Sequence, residues 1–223
     1  MNYKEKFIEL MVRAQVLQFG DFTTKSGRKT PYFINTGNYR NGMELYELGQ
    51  YYAEAFHEKC NVSNPVLYGP AYKGIPLVVI TSTALAQKFG VNVPISFNRK
   101  EKKDHGEGGM IVGKVPTKED NVVIIEDVIT AGTAIRETIG ILSQLGDIKI
   151  DSVVIAVDRM ERGTGDVSTL QEIEREYGIK TYSIVNIREI VEYLHNRPVD
   201  GVVHINDEMK KKIEEHLEKY GAK

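Results

Sequence analysis

The sequence predicts an α/β fold: an open, mostly parallel sheet flanked by helices, with a small hood over the site end. Two observations carry this. Val122, Val123, Ile124 and Ile125 form a continuous apolar run with no alternation, as a strand covered on both faces requires. From Pro65 onward, short apolar runs alternate with helix-length segments, the pattern of strand–helix–strand units.

Taken in order, residues 4–18 place Phe7, Leu10, Met11, Ala14 and Leu17 at helical spacing, which predicts an amphipathic helix. Residues 21–37 mix turn formers with Tyr32, Phe33 and Ile34 and predict a hairpin. A second helix is expected over 43–59. Strands are expected over 65–68, 93–98, 122–125 and 153–157, and a further edge strand over 182–187. Helices are expected over 75–89, which is apolar on most faces and so expected to be well buried, and over 134–145. A charged, solvated helix should occupy 206–220. Residues 1–65 then supply helix, hairpin and helix to the hood and core edge, 66–200 the α/β core, and 201–223 a helical extension.

The chain has 223 residues, of which 41% are apolar and 27% charged. That is enough to bury a core and is ordinary soluble composition. Lys and Arg total 29 against 31 Asp and Glu. No basic excess points to nucleic acid. The single cysteine, Cys60, excludes an internal disulfide and a multi-cysteine zinc site. No signal peptide and no membrane span are expected, so the expected address is the cytoplasm.

The sharpest feature follows the 122–125 run. Glu126 and Asp127 close the strand, and Val128, Ile129, Thr130, Ala131, Gly132, Thr133 and Ala134 lead into a helix. Ligands of open α/β sheets bind beyond the carboxyl ends of strands. Backbone N–H groups of 130–133, at a helix start, suit a phosphate. The two carboxylates need partners; vicinal ribose hydroxyls serve, and Mg²⁺ could share their field. The plainer alternative is that the acids only end a strand and cap a helix. Walker and dinucleotide fingerprints are absent.

Three further segments fit a diphosphate and a base. Residues 69–76 form a turn between Gly69 and Gly74 in which Lys73 adds charge beside Tyr72; an ordinary turn with an exposed lysine is the alternative. Residues 99–109 hold Arg99, Lys100, Lys102, Lys103 and His105 with three glycines and no apolar residue. That describes either a mobile basic lid over a leaving group or a solvated loop. Lys25 and Phe33 on the hairpin suit a carboxylate and a planar ring, unless Phe33 is core and Lys25 surface. Arg159, after the 153–157 run, suits a carboxylate through its planar fork, unless it pairs locally within 158–162. His57, His195, His204 and His216 read as structural or surface residues.

Together these segments resemble a known family. The 122–134 run is similar to the phosphoribosyl-diphosphate signature of the type I phosphoribosyltransferases. With residues 25–28, 69–76, 99–109 and 158–159, the resemblance is to the orotate-using branch, over about 7–200. It implies transfer of a phosphoribosyl group from 5-phosphoribosyl-1-diphosphate to orotate, giving orotidine 5′-phosphate and diphosphate in pyrimidine biosynthesis. It implies Mg²⁺ as cofactor, carried mainly by the substrate with no direct protein ligand.

By the same resemblance, Lys25, Phe33, Thr130 and Arg159 meet orotate. Tyr72 and Lys73 meet the diphosphate, with a cis peptide bond before Tyr72. Glu126 and Asp127 take the ribose hydroxyls, and residues 128–134 surround the ribose and its 5′-phosphate. Arg99, Lys100, Lys103 and His105 fall at diphosphate-binding and catalytic positions, Lys103 foremost. A homodimer is implied, with loop 99–109 completing the neighbour's site. Glu126 departs from the aspartate of many relatives, and Ile34 from a second aromatic in some. A purine phosphoribosyltransferase and a non-enzymatic sensor of the sugar diphosphate are the competing readings.

Overall fold

The computed structural model describes residues 1–24, 27–103, 109–129, 131–163 and 165–222; for Lys102 and Lys103 it describes the backbone alone. Helix α1 (Tyr3–Arg13) opens with a capping box between Asn2 and Glu5 and buries Phe7, Ile8, Leu10, Met11 and Val12. It ends before the expected residue 18. Gln15 takes a positive φ of 55°, which reverses the chain, and Leu17 pairs with Ile34 in a hairpin. That hairpin is β1 (Leu17–Thr23) and β2 (Lys29–Ile34). Helix α2 (Gly42–Lys59) starts where the Asn41 side chain accepts from the N–H groups of Met43 and Glu44.

The alternating part follows as β3 (Pro65–Gly69), α3 (Gly74–Phe89), β4 (Ile95–Lys103), β5 (Gly109–Gly113), β6 (Asn121–Glu126), α4 (Thr133–Ser143), β7 (Lys149–Asp158), α5 (Thr169–Tyr177), β8 (Lys180–Asn186) and α6 (Ile187–Leu194). A two-residue ladder, β9 (Pro198–Val199) with β10 (Val202–Val203), and helix α7 (Asp207–Tyr220) complete it.

Among the described residues the main sheet has the order β5-β4-β3-β6-β7-β8, parallel except for the antiparallel edge strand β5. The order reverses direction between β3 and β6. The loops leaving those two strands diverge and open a crevice at their carboxyl ends. Val123 and Ile125 pack into the cluster shared with α1, α2 and α6, while Val122 and Ile124 pack on the opposite face against Ile135, Leu142 and Ile173. The unalternating run in β6 is thus a strand covered on both sides. Phe7, Tyr52, Leu67, Ile190 and Ile213 share one cluster, so the N-terminal, central and C-terminal segments have a common core.

Two expectations are corrected. Helix α3 is not buried all round: Leu77, Val78, Thr81, Ala84 and Leu85 face the core, but Val79 is 42% exposed, because α2 and the sheet cover one side only. Residues 99–109 are not simply a loop. Of this segment, residues 99–103 and Gly109 are described: strand β4 runs on through Lys103, β5 begins at Gly109, and Lys103 pairs with Gly109 after an irregularity that follows Asn98. Helices α5 and α6, each opened by a capping box, and strand β5 were not anticipated.

Candidate active site

Glu126 ends β6, and both it and Asp127 are nearly buried, at 6% and 8% exposure. Their main chain is pinned. Tyr52 donates its hydroxyl to the Glu126 carbonyl at 2.6 Å, and the Ala156 N–H donates to the Asp127 carbonyl at 2.8 Å. Their side chains have different company. Asp127 Oδ2 accepts from Lys73 Nζ at 2.8 Å and from Thr36 Oγ1 at 2.7 Å. Burial pushes the Asp127 carboxyl up, but these two bonds outweigh it and hold it below the ordinary value. Glu126 Oε1 accepts the Asp127 N–H at 2.9 Å. Burial, and then the neighbouring Asp127 charge, push the Glu126 carboxyl up.

The two acids border a cavity of about 280 Å³. Its wall also contains Tyr72, Lys73, Val128, Ile129, Ala131, Gly132, Thr133 and Ala134. The structure therefore brings together the whole expected ribose and phosphate set except Thr130, which lies outside the described residues. Gly132 is the N-cap of α4 and adopts a left-handed φ of 72°. A Cβ there would stand 2.9 Å from Thr169 Cγ2, and glycine leaves the first-turn N–H groups without a side-chain cap. Opposite, the 69–74 turn has a cis Ala71–Tyr72 bond, as the resemblance implies. A Cβ on Gly69 would fall 2.2 Å from the Gly74 carbonyl oxygen, so the turn closes only on glycine. Asn98 Oδ1 accepts the Ala71 N–H at 3.0 Å and ties the turn to β4.

A second cavity of about 350 Å³ lies past the end of β7, and Ile129 and Ala131 line both. Arg28, Asp158, Arg159 and Glu161 border it. Arg159 donates from Nε and Nη2 to Glu161 Oε1, at 3.2 and 2.7 Å, with its guanidinium 4.8 Å from the Tyr32 ring centre. The local pairing that competed with a ligand role for Arg159 is therefore present, though its partner, Glu161, had not been singled out.

Other expected residues stand elsewhere. Phe33 is 39% exposed and stacks on Phe22, because successive residues of β2 face opposite ways and Tyr32 takes the inner side. Arg99 and Lys100 lie on β4; Arg99 Nη1 donates to the Gly109 carbonyl, and Lys100 Nζ is 3.8 Å from Glu137 on α4. Neither lines either cavity. Lys25, His105 and the side chain of Lys103 lie outside the described residues. Thr36, Tyr32, Glu161 and Asn98 were missed. Strand alternation singled out Tyr32 as readily as Phe33, and the local-pairing alternative within 158–162 pointed to Glu161; Thr36 and Asn98 gave no local signal.

A mostly parallel sheet with an acid pair at one strand end, a helix start with no side-chain cap beside it and a glycine-closed turn on the same cavity fits the phosphoribosyltransferase class. Residues 35–181 match the family model described as phosphoribosyl transferase domain. The chain is 52% identical over 221 residues to the orotate phosphoribosyltransferase of Lachnoclostridium phytofermentans, covering 99% of this chain and 98% of the relative. It is 51% identical to that of Clostridium beijerinckii, covering 99% of each. The crystal structure of the Francisella tularensis orotate phosphoribosyltransferase superposes with a TM-score of 0.84 at 37% identity, covering 97% of this chain and all of that one. The chain belongs to the orotate phosphoribosyltransferase family.

Proposed function

We propose that the chain transfers the phosphoribosyl group of 5-phosphoribosyl-1-diphosphate to orotate in pyrimidine biosynthesis. The bond from ribose C1 to the diphosphate oxygen breaks, a bond from C1 to the base nitrogen forms, and orotidine 5′-phosphate and diphosphate leave. The carrying observation is a pair of neighbouring cavities that share Ile129 and Ala131 in their walls, one bordered by Glu126, Asp127 and the start of α4, the other by Arg159.

The N–H groups at the α4 start take the 5′-phosphate, helped by the positive helix end. Asp127 and Glu126 accept from the ribose hydroxyls. Lys73 now holds Asp127; on binding it turns to the diphosphate, leaving the acid to the sugar. Arg159 grips the base carboxylate, with Lys25, Phe33 and Thr130 as further base contacts. Orotate is already partly anionic, so orientation and leaving-group stabilisation supply most of the rate. Arg99, Lys100, Lys103 and His105 stabilise the departing diphosphate.

Mg²⁺ fits as a companion of the substrate. Asp127 Oδ2 is already taken by Lys73 and Thr36, so a diphosphate-borne ion would be held mainly by the substrate. When bound, the ion neutralises diphosphate charge. A homodimer accounts for Arg99 and Lys100 standing off their own cavities, on an arm that reaches a neighbour's site. Val79 on α3 and Met43 and Tyr46 on α2 are exposed and available to such a contact. Among the described residues no helix is long and apolar enough to cross a membrane. The cytoplasmic address is part of the proposal and follows from the pyrimidine-biosynthesis reading.

Product formation from orotate and the sugar diphosphate, with and without Mg²⁺, tests the reading. We expect orotidine 5′-phosphate only with both substrates, and a large loss on chelation. Diphosphate release with purine bases but not with orotate would overturn it. Lys103→Ala is expected to lower turnover far more than sugar-diphosphate affinity. Mixing Lys103→Ala with Asp127→Asn, each nearly inactive, should restore about a quarter of the sites if arms complete neighbouring sites.

A further inference from the structure

Arg159 is useful to a substrate only if its fork is held still. An arginine side chain loses rotamer freedom when it binds, and a fixed guanidinium has lost it beforehand. What fixes it here is a side chain two residues on. Glu161 is 12% exposed in its side chain. Its Oε1 accepts from Arg159 at 3.2 and 2.7 Å and from the Tyr32 hydroxyl at 2.7 Å, and lies 3.0 Å from His216 Nε2. Its Oε2 accepts from Arg28 Nη1 at 3.2 Å. The bonds to Glu161 use the Nε side of the Arg159 guanidinium, so its outer Nη edge is presented for a second carboxylate.

The donors come from three separate parts of the chain. Tyr32 and Arg28 belong to the hood hairpin and its turn, Arg159 to the end of β7, and His216 to α7. Helix α7 also grips the backbone on either side of Glu161. The Arg162 N–H donates to the Tyr220 carbonyl at 2.8 Å, and the Ala222 N–H to the Met160 carbonyl at 2.9 Å. Arg28 lies over the Tyr220 ring at 4.6 Å, and Tyr32 meets the His216 ring edge-on at 5.9 Å between centres. This convergence far exceeds what an incidental surface pair shows.

We propose that Glu161 is a positioning residue for base recognition: it holds the Arg159 fork toward the substrate carboxylate, and α7 braces it through His216. The inference rests on the assignment of Arg159 to the base. Burial pushes the Glu161 carboxyl up, but His216, Arg159 and Tyr32 outweigh it and bring it to about 2, so it is ionised at neutral pH.

Steady-state kinetics with each substrate varied separately, on Arg159→Ala, Glu161→Ala, Glu161→Gln and the Arg159→Ala/Glu161→Ala double variant, test this. Glu161→Ala should raise the orotate KM by roughly 10- to 100-fold, by analogy with the loss of a partner that orients a metal ligand. The sugar-diphosphate KM should stay within about two-fold. Glu161→Gln, which keeps volume and an acceptor, should move the same way but less, and serves if Glu161→Ala does not fold. The double variant should be no worse than Arg159→Ala, since Glu161 acts through that arginine. His216→Ala should raise the orotate KM, and His216→Gln, which keeps a donor, should recover most of the loss. Multiplicative effects in the double variant, or equal rises in both KM values, would reduce Glu161 to a structural role and overturn the inference. If Arg159→Ala raises the orotate KM and neither Glu161 variant does, the inference falls alone. If Arg159→Ala leaves it unchanged, the base assignment falls and takes the inference with it.

Discussion

Glu126 and Glu161 invite comparison. One closes β6 and the other lies just past the neighbouring strand β7, and both are largely buried. Their surroundings are opposite. Glu161 gathers two arginines, a tyrosine hydroxyl and an imidazole, and its carboxyl is pulled down. Glu126 accepts a main-chain N–H, has an acid beside it, and is pushed up. A saturated buried carboxylate fixes structure, whereas an under-served one keeps its capacity for a ligand. Asp127 lies between the two cases, held by the exposed Lys73 and by Thr36.

The comparison can be broken by experiment. Asp127→Asn should have the largest effect, raising the sugar-diphosphate KM roughly 100-fold, because charge-assisted bonds to hydroxyls contribute about 1.5–3 kcal/mol each. Steady-state kinetics measure this; a change below about three-fold would remove the acid from the sugar site.

Acid sensitivity comes next. The Glu161 carboxyl sits at about 2 in the fold against an ordinary 4.5. Its stabilisation, about 3 kcal/mol, is complete above pH 4.5 and disappears as pH falls through 2. Glu161→Gln should therefore show a shallower loss of stability in urea melts between pH 5 and pH 3.

Glu126 should show the reverse sign. Its carboxyl is raised, so the folded state holds its proton more tightly than the unfolded chain. Stability then declines as pH rises from 4.5 through the raised value. Glu126→Gln has no charge to bury and should flatten that decline, exceeding the parent by about 3 kcal/mol at pH 8 in urea melts. A parent curve that rises over this range would contradict the contrast. The smallest change is expected from Lys73→Ala, which should move the Asp127 carboxyl upward toward its ordinary value, as read by carbon NMR of labelled aspartate.

Much of the sheet was legible because β6 announces itself: four apolar residues without alternation need cover on both faces, and both faces are covered. The phosphate side of the site was legible for the same reason. Glu126, Asp127, Gly132 and Thr133 are consecutive or nearly so, and backbone geometry alone brings them to one cavity. The base side was less so. Its central carboxylate draws on residues 28, 32, 159 and 216, and sequence spacing says nothing about partners that far apart. The polar arm at 99–103 was read as a loop because it lacks apolar residues. An edge hairpin beyond the core needs backbone pairing only, and leaves no hydrophobic pattern to read.

The way α7 is fastened has a practical consequence for anyone redesigning the enzyme to accept other pyrimidines. Positions 213–220 would ordinarily be left out of a selectivity library, because a solvated helix far along the chain is taken for packaging. Here the rungs that carry His216 and Tyr220 meet Glu161, the partner of Arg159, and the Arg28 guanidinium. Randomising that helix face together with residue 159 should therefore reach selectivities that changes to the cavity wall alone would miss.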